Sequence, residues 1–546
     1  MEDTPIIPAS EVNLSEVLNG IKILKVSRGR KYPVDKKTGE KYFYLDLVTA
    51  FDIETSKEQY GPNPIDWRSW MYVWQWQIGN ICTIVGRTWD EFLALVNEVN
   101  RILPDNVRMM VYVHNLSFEF EFLAGIWDFE PGSVFVTDVH APLYARMGKL
   151  EFRCSYRLSN YSLEKWAEEC KSDHQKLVGD LDYSVKRYPW TPLTETELEY
   201  CVHDVIVVVE CVEIMMKMEG DNLYTIPYTS TGYIRRRVKA AMRAWSPTAV
   251  PAICGDIETY DRLRAVFRGG NTHASRWWVD CILADVYSYD RSSSYPDVIV
   301  HCKFPMTKFR EEEPTFDRLK TLLERGRAVM MKISFRNIRL ADDQTGLPYL
   351  PLDMDAVRKA KTVRPSRGAE EDNGRLLSAD FYEIAITDID FDIISHQYVW
   401  DWDKCEIHWM MSSRYGYLPQ PLTDVLIQLY KEKTLLKDVD GAEAVYSHAK
   451  AKLNSAYGMM VQKMISNGVQ FTNGEWFVPP EFDRNVEYGK AVEKAFLAYQ
   501  WGVWTTAWAR YRLQEGVTIA EDLHPNDLRS SFRLCRYRFS QGNRPA

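Results

Sequence analysis

The stretch HAKAKLNSAYGMM, His448 to Met460, puts Lys450, Asn454 and Tyr457 at i, i+4 and i+7, one stripe along one helix. A cation for phosphate, an amide and a ring for stacking suit a nucleotide lying along that helix. A solvated helix face with no other task does not explain Asn-Ser-x-Tyr-Gly in mid-helix, where such residues have poor propensity.

Far upstream a second chemistry is spelled in acids. LVTAFDIETS predicts a strand, Leu47 to Ile53, ending in Asp52 and Glu54, and period-two geometry puts both carboxylates on one face. Two acids on a buried strand repel each other and lose solvation unless a cation lies between them. VRMMVYVHNLSFEFEFL adds a strand over Val107 to Val113, then Asn115, Phe118 and Glu119 at a helix start. TETELEYCVHDVIVVVECVEIM predicts a helix, with Thr194 and Glu197 spaced as a capping box and Tyr200 one turn before Asp204. Three acids, then a tyrosine one turn before a fourth, are what two-metal phosphodiester hydrolysis requires. The carboxylates hold two cations about 4 Å apart, and a hydroxyl orients the attacking water.

Composition sets the bounds. A chain of 546 residues, 46% apolar and 13% aromatic, is long enough for several globular domains. It has no apolar run long enough for a bilayer, and its opening lacks the layout of a signal peptide. Ten cysteines without a CxxC pair indicate neither a zinc site nor a disulfide framework, so a reducing, cytosol-like compartment is expected. The net charge of −9 argues against a surface coated for DNA, although 67 Lys and Arg can line a channel. GYIRRRVKAAMRAW, Gly232 to Trp245, is the densest basic patch in the body of the chain, equally a solvated helix face or a DNA-facing one.

Asp52, Glu54, Glu119, Tyr200 and Asp204 together resemble the 3′–5′ proofreading exonuclease of family B DNA polymerases, with Glu119 where that family usually has aspartate. The extra methylene shifts the carboxylate by roughly 1.5 Å, enough to slow a geometry-dependent step. The resemblance implies that Asn115, Phe118, Ser162 and Leu163 touch single-stranded DNA, and that Lys176 is the catalytic lysine before the third motif. FRGGNTHAS resembles a Tyr-x-Gly-Gly template element, with Phe267 for tyrosine ahead of Gly269 and Gly270. ADVYSYDRSSSYPDVI predicts a strand over Val286 to Tyr289 and resembles Asp-x-x-Ser-Leu-Tyr-Pro, with Ser294 for leucine. The family then makes Asp290 a metal ligand for the incoming triphosphate and sets Tyr295 under the sugar. Lys450, Asn454 and Tyr457 match the fingers motif of the protein-primed members, YKEKTLLKD supplies Lys433 as a second triphosphate lysine, and GVWTTAWAR resembles a palm helix.

Such a polymerase also needs Tyr-x-Asp-Thr-Asp-Ser, which this chain lacks. Where that motif is due stands FRLCRYRFSQG, Phe532 to Gly542. One choice of codons for it, read one base on, gives Ser-Val-Tyr-Val-Asp-Thr-Asp-Ser-Val-Lys. A window permitting Asp-Thr-Asp-Ser in that frame is on the order of one in ten thousand at average residue usage. The expectation is a frame slip between about Gly516 and Ser531, leaving a palm and thumb incomplete in the chain as written.

The expected fold is α/β: a ribonuclease H-like exonuclease domain (1–225), then a linker and first palm segment (226–304). A terminal-protein-region-like insertion with palm strands (305–402), fingers (403–465), a second insertion with the palm helix (466–525) and an out-of-frame tail (526–546) follow. Within the first insertion, Asp388, Asp390 and Asp392 of IAITDIDFDII read as the solvated face of an edge strand. The resemblance implies a protein-primed DNA polymerase with proofreading exonuclease, using Mg²⁺ or Mn²⁺, primer-template DNA, dNTPs and a terminal priming protein. A monomer in the cytoplasm (the host's, if viral), apart from membranes, goes with it. The alternatives are an exonuclease only, or a non-catalytic remnant that binds DNA or terminal protein.

Overall fold

A computed structural model describes residues 4–26, 31–35, 39–63, 65–177, 181–274, 281–282, 286, 288–341, 348–352, 369–465, 468–472, 474–479, 482–523 and 538–539. The chain divides into two compact units: residues 1–233, 432–449 and 466–482 form the first, and 234–431, 450–465 and 483–546 the second. Among the described residues no helix is long and apolar enough to cross a membrane.

The first unit is built on an eight-stranded sheet. Its strands are β1 (Ile6–Pro8), β2 (Phe43–Gln59), β3 (Trp67–Ile78), β4 (Cys82–Gly86), β5 (Val107–Val113), β6 (Val134–Val136), β7 (Pro142–Met147) and β8 (Leu150–Cys154), in the order β1-β4-β3-β2-β5-β8-β7-β6. At the centre β2 runs antiparallel to β3 and parallel to β5. Its alternation assigns the two faces. Phe51 and Ile53 pack with Trp74, Trp76, Phe92 and Phe152 on one side. Val48 and Ala50 pack with Val205, Val208 and Val212 of the helix Glu195–Glu219 on the other. Asp52 and Glu54 continue the Ala50 series, so strand pleat alone aims them at that helix. The helix begins at the expected capping box: Thr194 accepts from the Glu197 N–H, and the Glu197 carboxylate accepts from the Thr194 N–H. A hairpin of β17 (Gln470–Thr472) and β18 (Glu475–Phe477) brings Phe471 and Trp476 against Phe120 in the same unit.

The strand expected over residues 47–53 is longer. β2 carries on past both carboxylates, with a register shift between Glu54 and Thr55, so the acids sit within the strand and not at its end.

The second unit holds an antiparallel sheet of β10 (Phe304–Pro305), β11 (Arg310–Glu312), β12 (Arg327–Leu340), β13 (Glu370–Asp372), β14 (Arg375–Thr387), β15 (Tyr398–Val399) and β16 (Glu406–Gly416). An Asn373-Gly374 turn, both residues at positive φ, joins β13 to β14. Alternation again divides the residues of β12: Ala328 and Met330 pack with Trp501, Val503, Trp504 and Ala507 of the helix Tyr499–Leu523, while Val329, Met331, Ile333 and Phe335 face a second core.

Two expectations fail here. Asp388, Asp390 and Asp392 are not an edge strand: β14 is flanked by β12 and β13, and at Thr387 the chain turns into the helix Asp388–Gln397. Thr387 and Asp390 form a capping box, and Asp390 is fully buried. The local alternation of acid and apolar residues was outweighed by this cap. Nor, among the described residues, is there a strand over Val286 to Tyr289. The described residues there carry no regular structure, and β9 (Asp290–Arg291) has only a two-residue ladder, parallel to β19 (Arg538–Phe539). Apart from β19, the tail from Phe532 to Gly542 lies outside the described residues.

Candidate active site

In the first unit Asp52 and Glu54 of β2 meet Asp204 of the helix Glu195–Glu219, and one carboxylate oxygen of each lies within 4.8 Å of the others. Among the described residues this is the one cluster of three potential metal ligands. Glu119, on the helix Leu116–Ala124, is buried close enough to Asp52 for that carboxylate's charge to raise its pKa. Glu54, Glu119 and Asp204 are only 5%, 4% and 7% exposed. Oε2 of Glu119 and Oδ1 of Asp204 are buried without a hydrogen-bond partner.

Four carboxyls packed this way cannot all hold a full charge. Burial, then the charge of Asp204, pushes Asp52 up to about 7. Burial, then Asp52, lifts both Glu54 and Glu119 well above the ordinary glutamate range. The arrangement is electrostatically incomplete, and divalent cations are what such a set fits. Lys176 donates to Asp204 Oδ2 at 2.6 Å, and its ammonium lies 5.1 Å from the Tyr200 ring centre. Burial works against that ammonium, but Asp204 holds its pKa above the usual lysine value. Tyr200 shares a 3.1 Å hydrogen bond with the Tyr183 hydroxyl, and burial pushes its phenol up to about 12. It therefore stays protonated near neutral pH.

Asn115 takes a left-handed conformation (φ 79°) at the head of the Glu119 helix, and Phe118 is 44% exposed. Ser162 caps the helix Leu163–Cys170, its hydroxyl accepting from the Lys165 N–H, and Leu163 is buried beneath. Sequence reasoning passed over Gln75 and Tyr183. Gln75 stands opposite Asp52 in the β2–β3 register and donates to its Oδ2 at 2.9 Å. A buried glutamine in the apolar run of β3 was the available signal.

In the second unit Tyr295 and Tyr457 stack, with ring centres 4.3 Å apart and planes 15° from parallel. A Cβ at Gly270 would come within 3.2 Å of the Tyr295 hydroxyl, so this glycine permits a close approach. Lys450 and Asn454 are exposed on the helix Glu443–Met460, while Leu453, Ala456 and Met460 face the core. Phe267 ends the helix Ile257–Val266 and packs on the core near Tyr499. Asp290 lies on β9, and Lys433 belongs to the first unit.

Arg510 was also missed. It donates to the carbonyls of Arg268 and Gly269, both at 2.8 Å, and to Asp390 Oδ1 and the Tyr349 hydroxyl, both at 2.6 Å. The glycine turn is thus pinned from the helix Tyr499–Leu523. Burial opposes the charge on Asp390, yet Arg510 and Arg268 hold its pKa down to about 2. An arginine closing the run WGVWTTAWAR was its signal.

The family described as DNA polymerase type B, organellar and viral, matches residues 142–495, more than half of the chain. No curated protein sequence matches it. Among solved structures, Phi29 DNA polymerase complexed with primer-template DNA (a post-translocation binary complex) aligns with a TM-score of 0.63 and 17% identity, over 87% of this chain and 78% of that one. The same polymerase complexed with single-stranded DNA gives the same TM-score, identity and coverage. Its ternary complex with primer-template DNA and incoming nucleotide substrates gives a TM-score of 0.59 at 16% identity, with the same coverage of both chains. At that identity the likeness is one of fold.

Proposed function

The chain belongs to the organellar and viral type B DNA polymerases, and from that premise we propose that it removes nucleotides from DNA 3′ ends at the acid cluster and adds them at the Tyr295–Tyr457 site. The observation that carries this reading is the buried convergence of Asp52, Glu54 and Asp204, with Lys176 and Tyr200 against it.

For hydrolysis, Asp52, Glu54 and Asp204, with Glu119 beside them, would hold two Mg²⁺ or Mn²⁺ ions. When bound, the ions supply charge neutralisation and water activation at the scissile phosphate. Tyr200, held by Tyr183, orients the attacking water, and its raised pKa suits a hydrogen-bonding role better than that of a base. Lys176 stays charged beside Asp204 and offers its ammonium to the negative charge that builds up on phosphate oxygens. For synthesis, Lys450 draws the triphosphate, Asn454 hydrogen-bonds the nucleotide, and Tyr295 on Tyr457 forms the wall against its sugar and base. Asp290 takes the metal-binding role, Gly269 and Gly270 allow the template to come close, and a terminal protein supplies the first hydroxyl. Phi29 DNA polymerase, complexed with primer-template DNA and with single strands, handles both DNA forms that this reading requires.

A second reading, exonuclease only, is favoured by one observation: among the described residues the three-carboxylate cluster is in the first unit, and Asp290 is not part of such a group. A labelled primer on a template separates the two. With dNTPs and Mg²⁺ the primer should lengthen, and Asp290→Asn should stop lengthening while leaving shortening without dNTPs intact. Shortening without any lengthening leaves the exonuclease-only reading.

A further inference from the structure

Beside the acid cluster stands a column of aromatic rings that none of the steps above uses. Trp70, Tyr188 and Trp190 are stacked in series, with ring centres 5.1 and 5.0 Å apart and planes within 6° and 2° of parallel. The series ends in the open: Trp190 is 77% exposed, and only its inner face is stacked on Tyr188.

The column is held rigidly. Tyr188, Pro189, Trp190 and Thr191 form a tight turn closed by the Thr191 N–H on the Tyr188 carbonyl, with proline fixing the second position. Arg87 donates to the carbonyls of Tyr188 and Thr191, and the Trp70 indole N–H donates to the carbonyl of Arg187. At its foot Trp70 packs with Tyr72, Leu181 and Tyr200. In the β2–β3 register it stands opposite Ser56, two residues beyond Glu54, roughly 7 Å along the strand. Basic groups flank the foot of the column: Arg68 and Lys186 share the carboxylate of Glu58, Arg187 is paired with Glu197, and the Lys57 ammonium lies 5.4 Å from the ring centre of the exposed Trp67.

We infer that the outer face of Trp190 is a stacking platform for a base of the single-stranded DNA held at the neighbouring acid cluster. A rigid, open ring beside cations fits a nucleobase and its phosphate, whatever the base, because every base has a π-face. The inference rests on the exonuclease reading for its occupant, and the experiment separates the two.

In the full chain carrying Asp52→Ala and Glu54→Ala, which leaves the strand undigested, affinity for a fluorescein-labelled oligodeoxythymidylate is read by anisotropy. Trp190→Ala should weaken it by about 5- to 150-fold. Trp190→Phe, which keeps a ring, should retain most of the affinity. Equal binding by the parent and Trp190→Ala overturns the inference alone, and is also the outcome if the platform serves a protein segment. An equal loss in Trp190→Ala and Trp190→Phe overturns it as well. A parent that neither binds single strands nor, with its acids restored, digests them overturns the exonuclease reading and the platform together.

Discussion

At Arg510 a single guanidinium ties three parts of the second unit together: the carbonyls of the glycine turn, the hydroxyl of Tyr349 and the carboxylate of Asp390. Arg510→Ala leaves that buried carboxylate with Arg268 at 3.7 Å as its remaining cation. Losing one partner of such a pair costs about 3–5 kcal/mol, and urea unfolding should show a loss of that order. The neighbouring Asp388 titrates in the opposite sense. Burial pushes it up to about 7, against hydrogen bonds from Tyr415 and the Val329 N–H. Its protonated form is thus favoured by folding. The stabilisation is complete below about pH 4, the unfolded value, and is lost as pH rises through about 7. Asp388→Asn should flatten the fall in Tm between those limits. Depression of Asp390 works the other way, so its contribution is present above about pH 4 and lost as pH falls towards 2. At the acid cluster, Lys176→Ala removes the ammonium on Asp204, and kcat for strand digestion should drop about 10²- to 10³-fold with little change in KM.

Elements differ in how far sequence reveals them. The strand Val107–Val113 and the helix from Glu195 are where pattern and cap signals put them, because apolar period, capping box and burial agree. Thr194→Ala removes the cap of the helix that carries Tyr200 and Asp204. It should cost about 1 kcal/mol, measurable by denaturant unfolding, with modest loss of digestion. The helix Asp388–Gln397 was misread because three acids at alternate positions imitate a strand face. The cap that settles the matter, Thr387 with Asp390, is a T-x-x-D whose acid is buried. Asp52, Glu54, Tyr200 and Asp204 were legible because strand and helix periods bring each onto one face. Gln75 and Arg510 were not, since their roles depend on pairing register and on a carbonyl contributed by residues far away in sequence.

Across the whole molecule, the acid cluster and the Tyr295–Tyr457 stack belong to different compact units, each with its own sheet and core. Substitutions that share no partners act independently, so disabling the acids should leave primer extension, where present, at its original rate. We propose above all that Asp52, Glu54 and Asp204 form a metal-dependent 3′–5′ exonuclease site. Its most direct test is release of mononucleotides from a 5′-labelled single strand by the purified chain, with Mg²⁺ or Mn²⁺ and with EDTA, beside the Asp52→Ala, Glu54→Ala variant. The strand should shorten stepwise from the 3′ end with metal, and not at all with EDTA or in the variant. Shortening that persists in the variant, or a wild-type chain that leaves the strand intact with either metal, would contradict it.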